Sequence, residues 1–322
     1  MNIAILGAGG LGRAAARIIE QKGELKLVAI CDKQGYLINE EGINCKEIYN
    51  LEKNKSIAEI GQSSEDAIGE IIKQSKIMDG VLITLPNLPN EFIPSVAKRF
   101  IENGYAGAFS DPLKRTQAMK IMFDMSNLFK EHKSVYLTGT GATPGLLSAA
   151  AVLASQSFIK VDNVDIFWGV GISNWEEYKS TIREDIAHLP EYDVEKAKAM
   201  TDKEVEELLD KTDGKLELRN MEHADDILLQ KVGVVDNLDQ VTVGGIMDTR
   251  NAKKPVTTAM TLTGTTFDGK KSSHKFTLGD DTCMAANVLG PALGYLKRSI
   301  WLKEKGIYGV FGSTEFMPMV VR

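Results

Sequence analysis

Apolar positions in the first 140 residues of the chain follow two alternating rhythms. Short β-rich runs at Asn2–Leu6, Leu25–Cys31, Asp79–Leu85, Ala106–Phe109 and Ser134–Leu137 predict strands. Between them, Gly10–Gln21 carries Leu11, Ala14, Ala15 and Ile18 on one helical face, and Glu91–Glu102 and Thr116–Glu131 also read as helices. Strands alternating with helices predict a parallel sheet covered on both faces. Residues 32–75 are less regular and read as a connection that ends in a helix near Ser64–Lys73.

Beyond residue 140 the rhythm changes. Asn163–Val170 predicts a strand, and Trp175–Asp185 and Val194–Asp210 predict helices, the second so charged that it reads as an exposed cover. Runs rich in Val, Thr and Ile follow at Ile227–Val235, Gln240–Ile246, Val256–Thr263 and Ser272–Leu278, with Gly or Asp between them. Consecutive strands without helices predict a mainly antiparallel sheet. Asp281–Lys303 predicts a final helix.

With 322 residues, 43% of them hydrophobic, the chain has material for two cores. Its 38 basic and 44 acidic residues give a net charge of −6 without a basic cluster, which argues against a nucleic-acid footprint and suits a small soluble substrate. Cys31, Cys45 and Cys283 have neither zinc spacing nor a disulfide pattern and read as free thiols in a reducing compartment. No apolar run approaches the roughly 20 residues a membrane span needs, and no basic, apolar leader opens the chain. The expected place is the cytoplasm.

The strongest chemical signal is Gly7-Ala8-Gly9-Gly10-Leu11-Gly12, a G-x-G-x-x-G pattern between a strand and an amphipathic helix. Gly7 permits the turn, Gly9 lets the backbone approach a pyrophosphate, and Gly12 lets helix and strand pack closely. Gly10 and Leu11 open the helix whose free N–H groups face the phosphates. Asp32 follows the second strand, 20 residues beyond Gly12, and can accept from adenosine ribose hydroxyls. A carboxylate there repels a 2′-phosphate, so NAD is expected over NADP, with the adjacent Lys33 softening the preference. The expected fold is therefore α/β: an N-terminal Rossmann domain over 1–140, a substrate domain with a mainly antiparallel sheet over 141–280, and a helix and tail over 281–322 that return to the first domain.

Ligands bind at the carboxyl ends of strands in open α/β sheets. Leu85 and Pro86, ahead of Asn87, end the third clear strand and are candidates to border the nicotinamide ring. Asp111, in Ser110-Asp111-Pro112, is placed either to face the active site, holding a substrate ammonium, or to cap the helix behind it. In Thr138-Gly139-Thr140-Gly141-Ala142-Thr143-Pro144-Gly145, Thr143 reads as an N-cap and Pro144 as the first helical residue, and the exposed N–H groups suit a substrate carboxylate. Phe167-Trp168-Gly169-Val170-Gly171-Ile172-Ser173 pairs an aromatic with two glycines, which brings backbone close to a ligand or to another strand. Trp168 and Ser173 are thus candidate substrate contacts. Lys179 and Arg183 read as a solvated helix face that could meet a carboxylate. Among His132, His188, His223 and His274 none has metal-ligand spacing; His274 is the first choice for proton transfer because it precedes the final helix.

The GAGGLG opening, the T-G-x-x-x-x-P-G loop, the FWGxGxS segment and the final helix followed by Tyr308–Phe316 resemble the saccharopine dehydrogenase and diaminopimelate dehydrogenase relatives. The likeness to diaminopimelate dehydrogenase runs loosely over nearly the whole chain. The resemblance implies a homodimeric NAD(P)-dependent oxidoreductase acting on the C–N bond of an amino acid or imine. The chain departs from that group at Thr143, where the group has an Asp, at Asp32, where its NADP-preferring members are basic, and at Asn174-Trp175-Glu176-Glu177. A sugar or polyol dehydrogenase of the glucose–fructose oxidoreductase type is the alternative enzyme, although its Glu-Lys-Pro is here Ser110-Asp111-Pro112, with Lys114 two residues beyond the proline. A dinucleotide-binding sensor without turnover is the third reading.

Overall fold

The computed structural model describes residues 1–52, 55–87 and 89–322. The first part of the chain runs β1 (Asn2–Leu6), α1 (Gly10–Glu20), β2 (Lys26–Cys31), β3 (Gly35–Ile38), α2 (Cys45–Asn50), β4 (Gln62–Ser63), α3 (Ala67–Lys73), β5 (Gly80–Ile83), α4 (Phe92–Glu102), β6 (Ala108–Ser110), α5 (Thr116–Asp124), α6 (Ser126–Glu131) and β7 (Val135–Thr138). The second part runs α7 (Leu146–Ser155), β8 (Lys160–Gly171), α8 (Lys179–Ile186), α9 (Val194–Ala199), α10 (Asp202–Lys211), β9 (Lys215–Leu218), α11 (Asp225–Lys231), β10 (Val241–Asp248), β11 (Ala259–Thr265), β12 (Lys271–Thr277), α12 (Met284–Glu304) and β13 (Gly309–Gly312).

The first sheet has the order β13-β7-β6-β5-β1-β2-β3-β4. Its strands are parallel except β3 and β4, which pair antiparallel at one edge. Central strands read as unbroken apolar runs because both faces are covered: Ile3, Ala4, Ile5 and Leu6 are all fully buried. On one face Ile3 and Ile5 pack with Ala15 and Ile19 of α1 and Leu293 and Leu296 of α12. On the other, Leu6, Val81 and Ile83 meet Phe100, Phe109 and Tyr136. The second sheet has the order β12-β11-β8-β10-β9 and is mainly antiparallel, with β8 and β10 parallel. Its core gathers Val164, Ile166 and Trp168 of β8 with Leu216, Met260 and Leu262.

Several elements differ from the sequence reading. Ile227–Val235, read as a strand, lies largely in α11. Asp225 and Asp226 favour the N-terminus of that helix, Leu228 and Leu229 face the core, and Gly233 at φ +76° ends the segment. An apolar run this short fits either state, and the acidic start decides it. The long helix read over Thr116–Glu131 divides at Met125, and the Ser126 hydroxyl accepts from the Val310 amide at 3.1 Å, fastening α6 to β13. The short strands β3, β4, β9 and β13 were not foreseen.

Candidate functional site

The loops after β1, β5, β6 and β7 all leave the same edge of the first sheet. Between β1 and β5 the strand order reverses, which is where open α/β sheets bind ligands. The glycines of the first loop divide the work as their spacing implies. Gly7 sits at φ +102°, and a Cβ there would stand 2.7 Å from the Thr84 carbonyl oxygen; a Cβ at Gly12 would stand 1.8 Å from the Gly7 oxygen. A Cβ at Gly9 meets nothing within 4 Å. The closeness at Gly7 and Gly12 is internal packing, whereas the space at Gly9 is left for something else. No side chain caps α1 and no acidic residue lies in its first turn, so its N–H groups and positive dipole end are free for an anion. Backbone, space and charge together fit a dinucleotide pyrophosphate.

Arg13 braces this loop. Its guanidinium donates to the carbonyls of Ala8 at 3.0 Å, Leu51 at 2.5 Å, Glu52 at 3.1 Å and Lys55 at 2.7 Å. Asp32 closes the turn after β2: Oδ1 accepts from the Gln34 and Gly35 amides and the Ser56 hydroxyl, and Oδ2 accepts from the Ile57 amide at 2.7 Å. Among the described residues Oδ2 has this one donor.

Two cavities open along this edge. One, of about 630 Å³, runs past Gly9, Gly10, Leu11, Leu85 and Pro86 to Glu184 of α8. The other, of about 880 Å³, lies between the domains and is walled by Trp168, Met221, Met247, Leu278 and Val288. They meet at Leu11, Asn87, Pro112 and Thr181, which line both. The larger is apolar with few polar groups, as small-molecule sites are.

Lys114, Asp185 and His223 are the ionisable groups of its lining. Lys114 follows β6 and is largely buried; its Nζ donates to Asp185 Oδ1 at 2.8 Å and lies 3.4 Å from Glu184 Oε2. Burial alone lowers its pKa, but the two facing carboxylates outweigh that, so it stays protonated. His223, buried ahead of α11, holds Nδ1 2.8 Å from Asp225 Oδ2. Asp225 is fully buried and accepts from Thr143 Oγ1 at 2.5 Å and from Ser148 Oγ. A carboxylate only accepts, so His223 carries its proton on Nδ1 and keeps Nε2 as its other nitrogen.

His188 lies behind Lys114. Burial, together with the charges of Lys114 and Arg115, pushes its imidazole down to about 3. The unfolded chain takes up a proton here near pH 6.5 and the folded chain does not. His188 thus costs the fold stability as pH falls from about 6.5 towards 3. Its ring protons are expected not to shift in NMR spectra between roughly pH 7 and 5; a midpoint near 6.5 contradicts this environment.

The structure brings together Gly9, Gly10, Leu11, Leu85, Pro86, Thr143 and Trp168 on the cavity walls. Gly7 and Gly12 shape the loop from behind. Four expectations need correction. Asp111 does not face a ligand: it is fully buried, with Oδ2 accepting from Tyr136 at 2.5 Å and Oδ1 from Thr138 Oγ1, Gly139 N and Leu113 N at 2.9–3.1 Å. Burial raises its pKa against those four donors, and its work is to tie the β6 and β7 loops together. Thr143 is not an N-cap, because α7 begins at Leu146 behind Gly145, and its hydroxyl goes to Asp225 instead. Ser173 is exposed and lines neither cavity. His274 sits exposed on β12, an edge strand, with its ring 5.2 Å from that of Phe158. Sequence reading missed Glu184 and Asp185, which lie in a charged helix, and did not rank His223, although His223-x-Asp225 was visible. Among the described residues no cluster of three His, Cys, Asp or Glu could hold a metal, and no helix is long and apolar enough to cross a membrane.

The two-sheet architecture, with a glycine loop, an uncapped helix and an apolar cavity, is shared with solved diaminopimelate and saccharopine dehydrogenases. DAP dehydrogenase of C. glutamicum, in complex with DAP, has a TM-score of 0.59 at 17% identity, covering 98% of this chain and 93% of its own. Saccharopine dehydrogenase (L-Glu forming) of Saccharomyces cerevisiae has 0.58 at 11%, covering 97% and 94%. These likenesses show the fold. The family model of glutamate/leucine/phenylalanine/valine dehydrogenase matches residues 1–106. (S)-8-amino-7-oxononanoate synthase BioU of Haloferax mediterranei is 42% identical over 349 residues, covering 99% of each chain. The chain belongs to the BioU family of enzymes.

Proposed function

We propose that this chain is an NAD(P)-dependent oxidoreductase that makes or breaks the C–N bond of an aliphatic amino-oxo acid. The observation that carries it is the meeting of the two cavities at Leu11, Asn87 and Pro112. A coenzyme held at the α1 N-terminus would be flanked by the residues of the smaller cavity, with those of the larger cavity next to its reactive end. The apolar wall of Trp168, Met221, Met247 and Leu278 suits a methylene chain, as in the amino-oxononanoate of the relative's name.

The coenzyme supplies or accepts hydride. In the reductive direction a ketone and an amine lose water to give an imine, and hydride with one proton completes the amine. His223, oriented by Asp225, is the group placed to deliver or remove that proton. The ammonium of Lys114 lines the same cavity as His223 and can balance developing negative charge. Apolar walls limit the water that meets the imine.

NAD rather than NADP is part of the proposal, supported by the Asp32 charge at the end of β2. Asp32→Asn is expected to narrow the ratio of NAD to NADP affinity by about tenfold or more, since a like charge is removed from the 2′-phosphate; an unchanged ratio in calorimetry refutes it. Homodimeric assembly and a cytoplasmic place also belong to this reading, and light scattering tests the former. The reaction is tested by following nicotinamide absorbance with stoichiometric protein, a vicinal dioxo acid of about nine carbons and an amine. Oxidation of NAD(P)H that needs both partners supports the proposal; equal oxidation with a sugar ketone in place of the acid overturns it.

A further inference from the structure

We propose that Glu184 is the acceptor for the nicotinamide-side ribose hydroxyls of the bound dinucleotide, so that the second domain reads the coenzyme directly. This rests on the dinucleotide reading above. Glu184 is 2% exposed. Its Oε2 takes the Asn87 amide at 3.2 Å and faces Lys114, but its Oε1 is buried and has no hydrogen-bond partner among the described residues. An unpaired buried carboxylate oxygen is costly, and a donor from outside the protein removes the cost.

The location selects the donor. Glu184 lines the smaller cavity, with the glycine loop and Leu85, Pro86 and Asn87. Asp185, one residue on, lines the larger cavity and is already paired with Lys114. Successive residues of a helix point about 100° apart, so α8 presents one carboxylate to each cavity. A substrate ammonium would lie with Asp185. Along the smaller cavity, the group next to the pyrophosphate on its way to the larger cavity is a ribose. Its two hydroxyls donate, whereas pyrophosphate oxygens only accept and are repelled by a carboxylate. Asn87 and Lys114 hold the other oxygen, so the ribose contact also links the β5 and β6 loops to α8.

Calorimetric titration of the full-length protein with ADP, ADP-ribose and NADH tests this. Glu184→Gln is expected to weaken ADP-ribose and NADH about tenfold, because a neutral amide oxygen replaces a charged acceptor, and to leave ADP unchanged. Glu184→Ala, which removes the acceptor altogether, is expected to show the same pattern with a larger loss. Equal ADP-ribose affinity in the unsubstituted protein and both variants overturns the proposal, as does an equal loss for all three ligands. If the unsubstituted protein binds none of them, the dinucleotide reading itself falls.

Discussion

Gly9→Val is expected to leave the chain folded and to weaken coenzyme binding severely. Gly9 has φ −73°, which a branched residue tolerates, and a Cβ there meets no protein atom within 4 Å. Its side chain projects into the space at the N-terminus of α1, where a pyrophosphate must touch backbone. The expected loss of NADH affinity is about 100-fold or more, or roughly 3 kcal/mol, with the melting temperature unchanged. Gly12→Ala separates the two roles of the loop. Its Cβ would overlap the Gly7 carbonyl oxygen, so the fold itself suffers there. Calorimetry and thermal unfolding on both variants check the contrast, and undiminished NADH affinity in Gly9→Val removes this loop from the site.

His223→Gln is expected to lower turnover by about 10²–10⁴-fold, the range of a lost general acid–base group, while NADH affinity holds. The glutamine amide keeps a donor for Asp225 but cannot exchange a proton near neutral pH. Asp225→Asn is expected to be nearly as damaging. The imidazole loses the acceptor that fixes its tautomer, and Thr143 and Ser148 lose a charged partner. Single-turnover rates measured with coenzyme and substrate both saturating check this. A His223→Gln variant as fast as the unsubstituted protein removes the histidine from proton transfer.

The first domain was legible because its signals are local. A buried parallel strand is an apolar run, and the glycine loop is a fixed short spacing between a strand and an amphipathic helix. Asp32 stands out by spacing, whereas the bonds its carboxylate makes, closing the Gln34–Gly35 turn and receiving Ser56 and Ile57, form across loops. The second cavity was legible only in part. Trp168 and Thr143 were found through glycine and proline neighbours, although Thr143 serves Asp225 rather than the start of α7. Asp111 and His274 were chosen by position after a strand or before a helix, and position does not reveal burial or an edge strand. Lys114, Glu184 and Asp185 became a site only when α8 folded against the β5 and β6 loops. Pairing between residues 71 apart, as in Lys114 and Asp185, has no local signature.

The central claim is hydride transfer at the seam of the two cavities. It is met most directly by a single turnover with NADH carrying deuterium at the transferred position of the nicotinamide, protein in excess, and a dioxo acid with an amine as partners. Mass spectrometry of the product is expected to place deuterium on the carbon that bears nitrogen. Product amine formed without deuterium, or coenzyme recovered with its label intact, contradicts the account.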